Sequence, residues 1–128
     1  MSQLSPTWAA SAPETPPFAL AVDGVRTAGA WGTATSHDRR TGLLGTDGLS
    51  GVLWIDRCSC VHTFGMRYPL EVAFLDRAGR VLATTAMEPS RLGRPRLRAR
   101  SVLEMPAGRL RDWNISTGSV ITFVDRAK

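Results

Sequence analysis

The sequence contains a single lysine, two cysteines and one tyrosine, and it has no long apolar run. Two cysteines are too few for a disulfide scaffold. No run approaches the roughly 20 apolar residues that a membrane helix needs. Neither a Gly-x-x-x-x-Gly-Lys-Ser/Thr loop nor a Gly-x-Gly-x-x-Gly loop occurs, which argues against a nucleotide cofactor. The N-terminus lacks the basic start and apolar segment of a signal peptide, so we expect a cytoplasmic protein without a membrane span.

Arginine supplies nearly all of the positive charge. Fifteen of the sixteen basic residues are arginine, and the formal net charge is +5 with an isoelectric point near 10.5. A basic chain attracts phosphate groups, which makes nucleic acid a candidate partner. The arginine bias beside abundant alanine and glycine is also typical of a G+C-rich genome. Charge alone therefore does not favour nucleic acid.

Proline divides the chain into an arm and a domain. Residues 1–17 contain four prolines and no periodic pattern, which predicts a flexible N-terminal arm. Residues 18–128 are expected to form a single β-rich domain. Apolar runs, alternation and turn signals predict extended segments there, at 18–22, 25–33, 52–55, 58–64, 70–75, 80–87, 97–105 and 120–124. Asp23-Gly24 predicts a hairpin between the first two segments, and the turn at residues 76–79 predicts another between 70–75 and 80–87. A helix is expected from Ser36, as its N-cap, to residue 44.

These elements predict the fold class. Pro106-Ala107-Gly108 is expected to end the strand before it, and a short helical turn is expected to follow, to about Trp113. With no internal repeat in the chain, the pattern favours a mostly β (α+β) domain. We expect a compact antiparallel barrel or sandwich of about eight short strands with one helix and a short helical turn.

Three motifs follow one another along the chain. They are Arg40-Thr41-Gly42-Leu43-Leu44-Gly45, residues 61–76 and Val102-Leu103-Glu104-Met105-Pro106-Ala107-Gly108. In this order they resemble the signature of a bacterial and archaeal family, domain of unknown function 192, over about residues 20–125. The resemblance implies the same small β-rich domain. The family carries no established biochemical role, so the function is left to the residues themselves.

Cys58, Cys60 and His62 alternate along a predicted strand, which would place their side chains on one face. Thiolate and imidazole groups suit zinc or copper, and Met66 could add a thioether. A straight row of these residues spans about 13 Å, so a single ion would need a bend in the strand to gather them. The alternative is that both cysteines are free thiols packed as small apolar groups.

A second constellation predicts a polar pocket. His62, Thr63, Met66 and Arg67 lie where two extended segments meet an irregular joint, and Arg40 lies at the end of the predicted helix. Arg67 could hold a carboxylate or phosphate, or it could form a salt bridge to Glu71 or Asp76 instead. We expect a non-catalytic binding or accessory module for a small molecule or a protein partner.

Two further functions remain alternatives. The second is a metal-assisted or thiol-dependent hydrolytic enzyme that uses His62 with Cys58 or Cys60. The third is nucleic-acid binding by an arginine-rich stretch whose alternation predicts one strand face, namely Arg94, Arg96, Arg98 and Arg100. A solvated edge strand explains the same arginines and is favoured.

Three carboxylates lie inside the motifs, and each has a structural interpretation. Asp76 is expected to bond the backbone of the hairpin turn that follows it. Glu71 is expected on the opposite strand face from Asp76. Glu104 is expected to pair with an arginine such as Arg40.

Overall fold

The protein, as a computed structural model, is described over residues 4–9 and 15–126. Seven strands and two short helices follow one another along it. The strands are β1 (Phe18–Val22), β2 (Val25–Gly32), β3 (Val52–Asp56), β4 (Leu70–Leu75), β5 (Val81–Met87), β6 (Ser101–Pro106) and β7 (Ile121–Asp125). The helices are α1 (Ser36–Thr41) and α2 (Arg109–Asp112). Neither helix in this part of the chain is long and apolar enough to cross a bilayer.

All seven strands belong to one sheet, in the order β5-β4-β6-β3-β2-β1-β7. Neighbours are antiparallel except β2 and β3, which run parallel. The hairpin predicted at Asp23-Gly24 is confirmed, and both residues have the positive φ angles, 50° and 86°, that such a tight turn requires. The predicted pairing of β4 with β5 is confirmed as well.

The sheet curves but does not close. Its edge strands, β5 and β7, approach each other at an isolated bridge between Arg80 and Val120. Two backbone hydrogen bonds flank that bridge, from Val81 N to Ser119 O and from Ile121 N to Gly79 O, each 2.8 Å long. Because no continuous ladder joins the edges, the predicted barrel is wrong. A mostly β, sandwich-like open sheet describes the fold.

Both faces of the sheet are buried. The apolar run of β3 divides between them, since Val52 packs in one core cluster while Leu53 and Ile55 pack in the other. The first cluster is completed by β7 and the segment around α2, through Ile115 and Ile121. The second cluster is covered by connecting segments of the chain. This second face carries the candidate site.

Three predicted elements differ from the structure. The N-cap of α1 is Thr35 rather than Ser36, and the helix ends at Thr41, because Gly42 takes a φ of +49° and leaves the helix. The predicted strand over 58–64 is absent apart from one bridge between His62 and Leu92. The strand predicted over 97–105 begins at Ser101, four residues later than expected. The count of about eight strands is therefore seven in the described chain.

Part of the predicted arm lies against the domain. Leu4 O accepts a hydrogen bond from Ser50 N at 3.1 Å, and Trp8 Nε1 donates one to Gly42 O at 2.9 Å. Residues 10–14 lie outside the described residues. The indole of Trp8 thus contacts the C-terminal end of α1, next to the site described below.

Candidate functional site

Glu104 occupies the middle of β6, on the face of the second core cluster. Its cross-strand partners are Leu53 on β3 and Val72 on β4, and both are fully buried. The Glu104 residue itself is 6% exposed. An acidic side chain therefore lies where the neighbouring strands carry core residues, which is rare for an unpaired glutamate.

The carboxyl group of Glu104 has no partner in the part of the chain that the structure describes. Among the described residues, none donates a hydrogen bond to it or forms an ion pair with it. The predicted pair with Arg40 is not made. Burial raises the pKa of Glu104 to about 7, because the buried site solvates the charged form less well than bulk water does. A carboxyl group with such a pKa changes its charge near neutral pH.

A cavity of about 70 Å³ opens beside this carboxyl group. The side chains that bring polar or polarisable atoms to it come from α1 and from the segment after β3. Besides Glu104 they are Arg39, Arg40, Thr41, Cys58, Cys60, His62 and Met66. The lining residues therefore include a buried acid, two arginines, two cysteines, a histidine and a methionine, and of the two arginines Arg40 is exposed to solvent.

Helix α1 brings the two arginines to the cavity. Thr35 begins the helix with a capping box, in which its hydroxyl accepts from Asp38 N at 3.1 Å and Asp38 Oδ2 accepts from Thr35 N at 3.2 Å. Arg39 and Arg40 follow in the last turn. Gly42 then turns the backbone beside the acid, so that a Cβ atom there would lie 3.7 Å from Glu104 Oε1.

The two cysteines are free and face carbonyl groups. Cys58 Sγ donates to Cys60 O and Cys60 Sγ donates to Gly93 O, each at 3.3 Å. Burial is the largest effect on Cys58 and raises the pKa of its thiol, and the Glu104 charge also raises it. Residues 4–9 and 15–126 contain no group of three or more His, Cys, Asp or Glu side chains arranged to hold a metal ion. The zinc or copper site of Cys58, Cys60 and His62 stays a prediction.

The predicted pocket residues divide into two sets. His62, Met66 and Arg40 line the Glu104 cavity. Thr63 lies outside it and is fully buried, with its hydroxyl donating to Glu88 O at 2.6 Å. Arg67 forms an exposed salt bridge to Asp47 at 2.8 Å.

The arginine-rich stretch does not form one strand face, because residues 94–100 are irregular. Arg96 lies over the ring of Phe74, 5.2 Å from its centroid. Arg100 pairs with Asp56 at 3.6 Å. Arg94 and Arg98 are exposed.

The other two carboxylates have backbone partners. Glu71 Oε1 accepts from Gly108 N at 2.8 Å and from Leu110 N at 3.0 Å, which ties α2 to β4. The predicted turn bond of Asp76 is confirmed, since its Oδ1 accepts from Ala78 N and Arg80 N at 2.9 Å. Glu104 is the functional candidate that sequence reasoning missed. Its signal was a charged residue inside the apolar run of residues 102–105.

A larger groove of about 590 Å³ opens on the opposite face of the sheet. The rings of Trp54 and Phe123 lie in it with centroids 5.0 Å apart. Its acidic groups already have partners, since Asp56 pairs with Arg100 and Asp76 bonds its own turn. The Glu104 cavity, where the acid has no partner among residues 4–9 and 15–126, is therefore the stronger candidate site.

The fold and the cavity together define a class, a small mostly β domain with an unpartnered acid buried beside a polar cavity. The resemblance seen in the three sequence motifs is confirmed. The chain belongs to domain of unknown function 192 (DUF192), a family described as an uncharacterised ACR, whose family model matches residues 20–123. This is a family of uncharacterised proteins.

A solved structure has a similar fold. It is a protein of unknown function from Novosphingobium aromaticivorans, with 18% sequence identity, a TM-score of 0.68 and a match that covers 83% of each chain. At this identity the likeness shows the fold alone. No functionally curated protein matches the chain. The protein is thus an uncharacterised small domain of known fold and family.

Proposed function

We propose that this protein is a non-catalytic binding module that takes a small ligand, or one small group of a larger ligand, in the cavity beside Glu104. The observation that carries the proposal is the Glu104 carboxyl group, 6% exposed and without a partner among the described residues. Leaving a buried polar group unpaired costs about 1–3 kcal/mol of folding free energy. A ligand that bonds this group would recover part of that free energy on binding.

The residues around the acid support a binding role. Arg40, His62 and Met66 bring a guanidinium, an imidazole and a thioether to the same small cavity. Convergent polar groups in a concave site are typical of ligand recognition. The two free thiols also fit a reducing, cytoplasmic compartment, and the partner would be a small molecule or a group presented by another protein.

The enzyme alternative has weaker support. A thiol nucleophile acts as its thiolate, and burial raises the pKa of Cys58 and so disfavours that form. Both thiols donate to carbonyl oxygens rather than to His62. A metal-assisted reaction would require Cys58, Cys60 and His62 to rearrange around the ion.

Nucleic-acid binding through the arginine-rich stretch is the third candidate. Arg96 lies over an aromatic ring, and the exposed Arg100 pairs with a carboxylate, so within this set Arg94 and Arg98 are the exposed cations without such a partner in the described chain. A few exposed arginines on an irregular segment support weak, salt-sensitive attraction and no specific recognition. We do not favour this function.

The test is a thermal-shift screen of the full chain against small carboxylates, amines, amides and alcohols. We expect at least one class to raise the melting temperature of the wild type and of Glu88→Gln, which changes an exposed acid. The same compounds should have no effect on Glu104→Leu. If no compound stabilises the protein in a way that depends on Glu104, the proposal is wrong.

A further inference from the structure

We propose that the Glu104 cavity binds the carboxylate end of a small ligand, held between the protonated carboxyl group of Glu104 and the guanidinium groups of Arg39 and Arg40. This inference rests on the proposed function, because it names the chemistry of the ligand for the same cavity. It follows from the charges that line the cavity, from the protonation of the acid and from the space that is left.

The charges around the cavity favour an anion. Arg39 and Arg40 line it, and neither forms an ion pair or a side-chain hydrogen bond with another described residue. Glu104 is the single acid among the described lining residues. When Glu104 is protonated, the two arginines, half-buried Arg39 and exposed Arg40, are the charged residues of the lining that have no acidic partner in the described chain. A guanidinium group pairs with a carboxylate through two parallel hydrogen bonds.

The acid itself can act as a donor. A protonated carboxyl group has one O–H donor, whereas the ionised group can only accept. Burial keeps the pKa of Glu104 at about 7, so the protonated form is present at and below neutral pH without any ligand. A ligand carboxylate can accept this proton in a hydrogen bond while its other oxygen faces the arginines.

A cationic group fits the same cavity less well. An ammonium group would need the ionised form of Glu104, which burial disfavours, and it would lie beside Arg39 and Arg40. The cavity volume of 70 Å³ is also small. Liquid water occupies about 30 Å³ per molecule, so the space suits a group of a few heavy atoms such as a carboxylate.

Several other titratable groups lie near Glu104. Their contribution to the pH dependence of binding must be distinguished from that of Glu104. The arginines come from α1, and the segment after β3 contributes Cys58 and Cys60. His62 lines the cavity from the same side. The hydroxyl of Tyr68 lies 2.7 Å from Thr46 Oγ1. Burial raises the pKa of Tyr68, and the Glu104 charge contributes to raising it. A His62 variant therefore serves as a control in the experiment below.

The experiment compares three probes of similar shape and different charge: acetate, acetamide and methylammonium. Each is titrated into the ¹⁵N-labelled full chain at pH 6 and pH 8 at constant ionic strength, with amide resonances around Gly42 and Met66 as the readout. We expect acetate to bind about tenfold more tightly at pH 6 than at pH 8, since one proton is linked to binding. Methylammonium should bind at neither pH.

Four variants test which residues are responsible for acetate binding and for its pH dependence. Arg40→Gln should weaken acetate binding about tenfold or more, because one charge-assisted hydrogen-bonded pair is lost, while the exposed Arg77→Gln should leave it unchanged. Glu104→Gln keeps a donor at every pH, so acetate should still bind but without the pH dependence. His62→Gln should retain the pH dependence of the wild type.

The remaining outcomes overturn one proposal or both. Methylammonium that binds more tightly at pH 8, and only with Glu104 present, would leave the cavity as a binding site and refute the carboxylate. Acetate binding that is independent of pH in the wild type would refute the donor role of Glu104. If no probe perturbs the cavity resonances, both the ligand class and the binding module are wrong.

Discussion

At the scale of single residues, Glu104 links the stability of the folded protein to pH. Its backbone continues the β6 ladder between Leu53 and Val72, while its side chain lies in a layer that is otherwise apolar. The folded protein therefore holds a proton on Glu104 over a pH range in which the unfolded chain releases it. Stability must depend on pH in that range.

The first prediction is a loss of stability as the pH rises. Because the pKa of Glu104 is raised from 4.5 to about 7, the folded state binds more protons than the unfolded state between those values. The free energy of unfolding should fall by about 3 kcal/mol from this group as the pH rises from below 4.5 to above 7. Urea denaturation at pH 5 and pH 8 measures the change.

Glu104→Gln and Glu88→Gln are the matched variants for this measurement. The first removes the titrating group from the cavity, and the second removes an exposed carboxylate. The difference in stability between pH 5 and pH 8 should shrink in Glu104→Gln and persist in Glu88→Gln. A wild type that is equally stable at both values would contradict the argument.

Cys58 gives a second prediction at this scale. Burial raises the pKa of its thiol, so little thiolate is present at pH 7. In Cys60→Ser, the remaining thiol should react with a disulfide reagent at least about tenfold more slowly than free cysteine. Denaturant should restore the ordinary rate. A faster reaction than that of free cysteine would instead support the thiol-dependent enzyme.

At the scale of elements, local signals explain some parts of the fold and fail at others. The hairpin at Asp23-Gly24 could be predicted because its conformation is dictated within a few residues. The irregular course of residues 58–64 could not, because it depends on distant segments. Thr63 N bonds Arg91 O and Gly93 N bonds Val61 O, each at 2.8 Å, across about 30 residues of sequence.

The strand predicted for the arginine-rich stretch is absent for a related reason. Alternation of arginine with small or apolar residues predicted a strand, yet Arg96 N bonds Ser59 O and Arg100 N bonds Leu75 O outside any ladder. These long-range backbone bonds override the local pattern. They also separate the side chains of Arg96 and Arg100, which were expected on one face.

The N-terminus of α1 offers a direct test at this scale. Thr35, and not the expected Ser36, accepts from Asp38 N. Thr35→Ala should therefore destabilise the protein by about 1 kcal/mol. Ser36→Ala should change stability by less than about 0.5 kcal/mol, since Ser36 lies exposed inside the first turn. Chemical denaturation measures the stability of both variants. An equal loss of stability in the two would contradict the assignment of Thr35 as the N-cap.

At the scale of the whole molecule, the cavity exists because remote segments meet over one sheet. Helix α1 precedes β3 in the chain, whereas Glu104 lies on β6. The end of α1 at Gly42 comes within contact distance of the Glu104 side chain. The sequence supplied the family and the residues Arg40, His62 and Met66, but neither alternation nor spacing predicts which loop covers which face. The cavity could therefore not be predicted from the sequence.

Substitution of two glycines, Gly24 and Gly79, tests whether the contact between the two edges of the sheet stabilises the fold. Gly24 and Gly79 both have a φ of +86°, and a Cβ at Gly24 would meet nothing within 4 Å. At Gly79 it would lie 2.5 Å from Ile121 O of β7. Gly24→Ala should cost about 1–2 kcal/mol from its backbone conformation alone. Gly79→Ala should cost at least about 1 kcal/mol more, because β7 must move.

Thermal or urea denaturation of the two variants measures this difference. A similar loss of stability in both would mean that the hairpin turn does not press against β7. The contact between the edges would then contribute nothing to the fold.

The most direct test of the central claim is the ¹³C chemical shift of the Glu104 carboxyl carbon as a function of pH. The resonance is assigned by its absence in Glu104→Gln, and the titration is repeated with acetate. We predict a midpoint near pH 7 in the free protein and a higher midpoint with acetate, since acetate binds the protonated form. A midpoint near the ordinary 4.5 that acetate does not move would contradict the account.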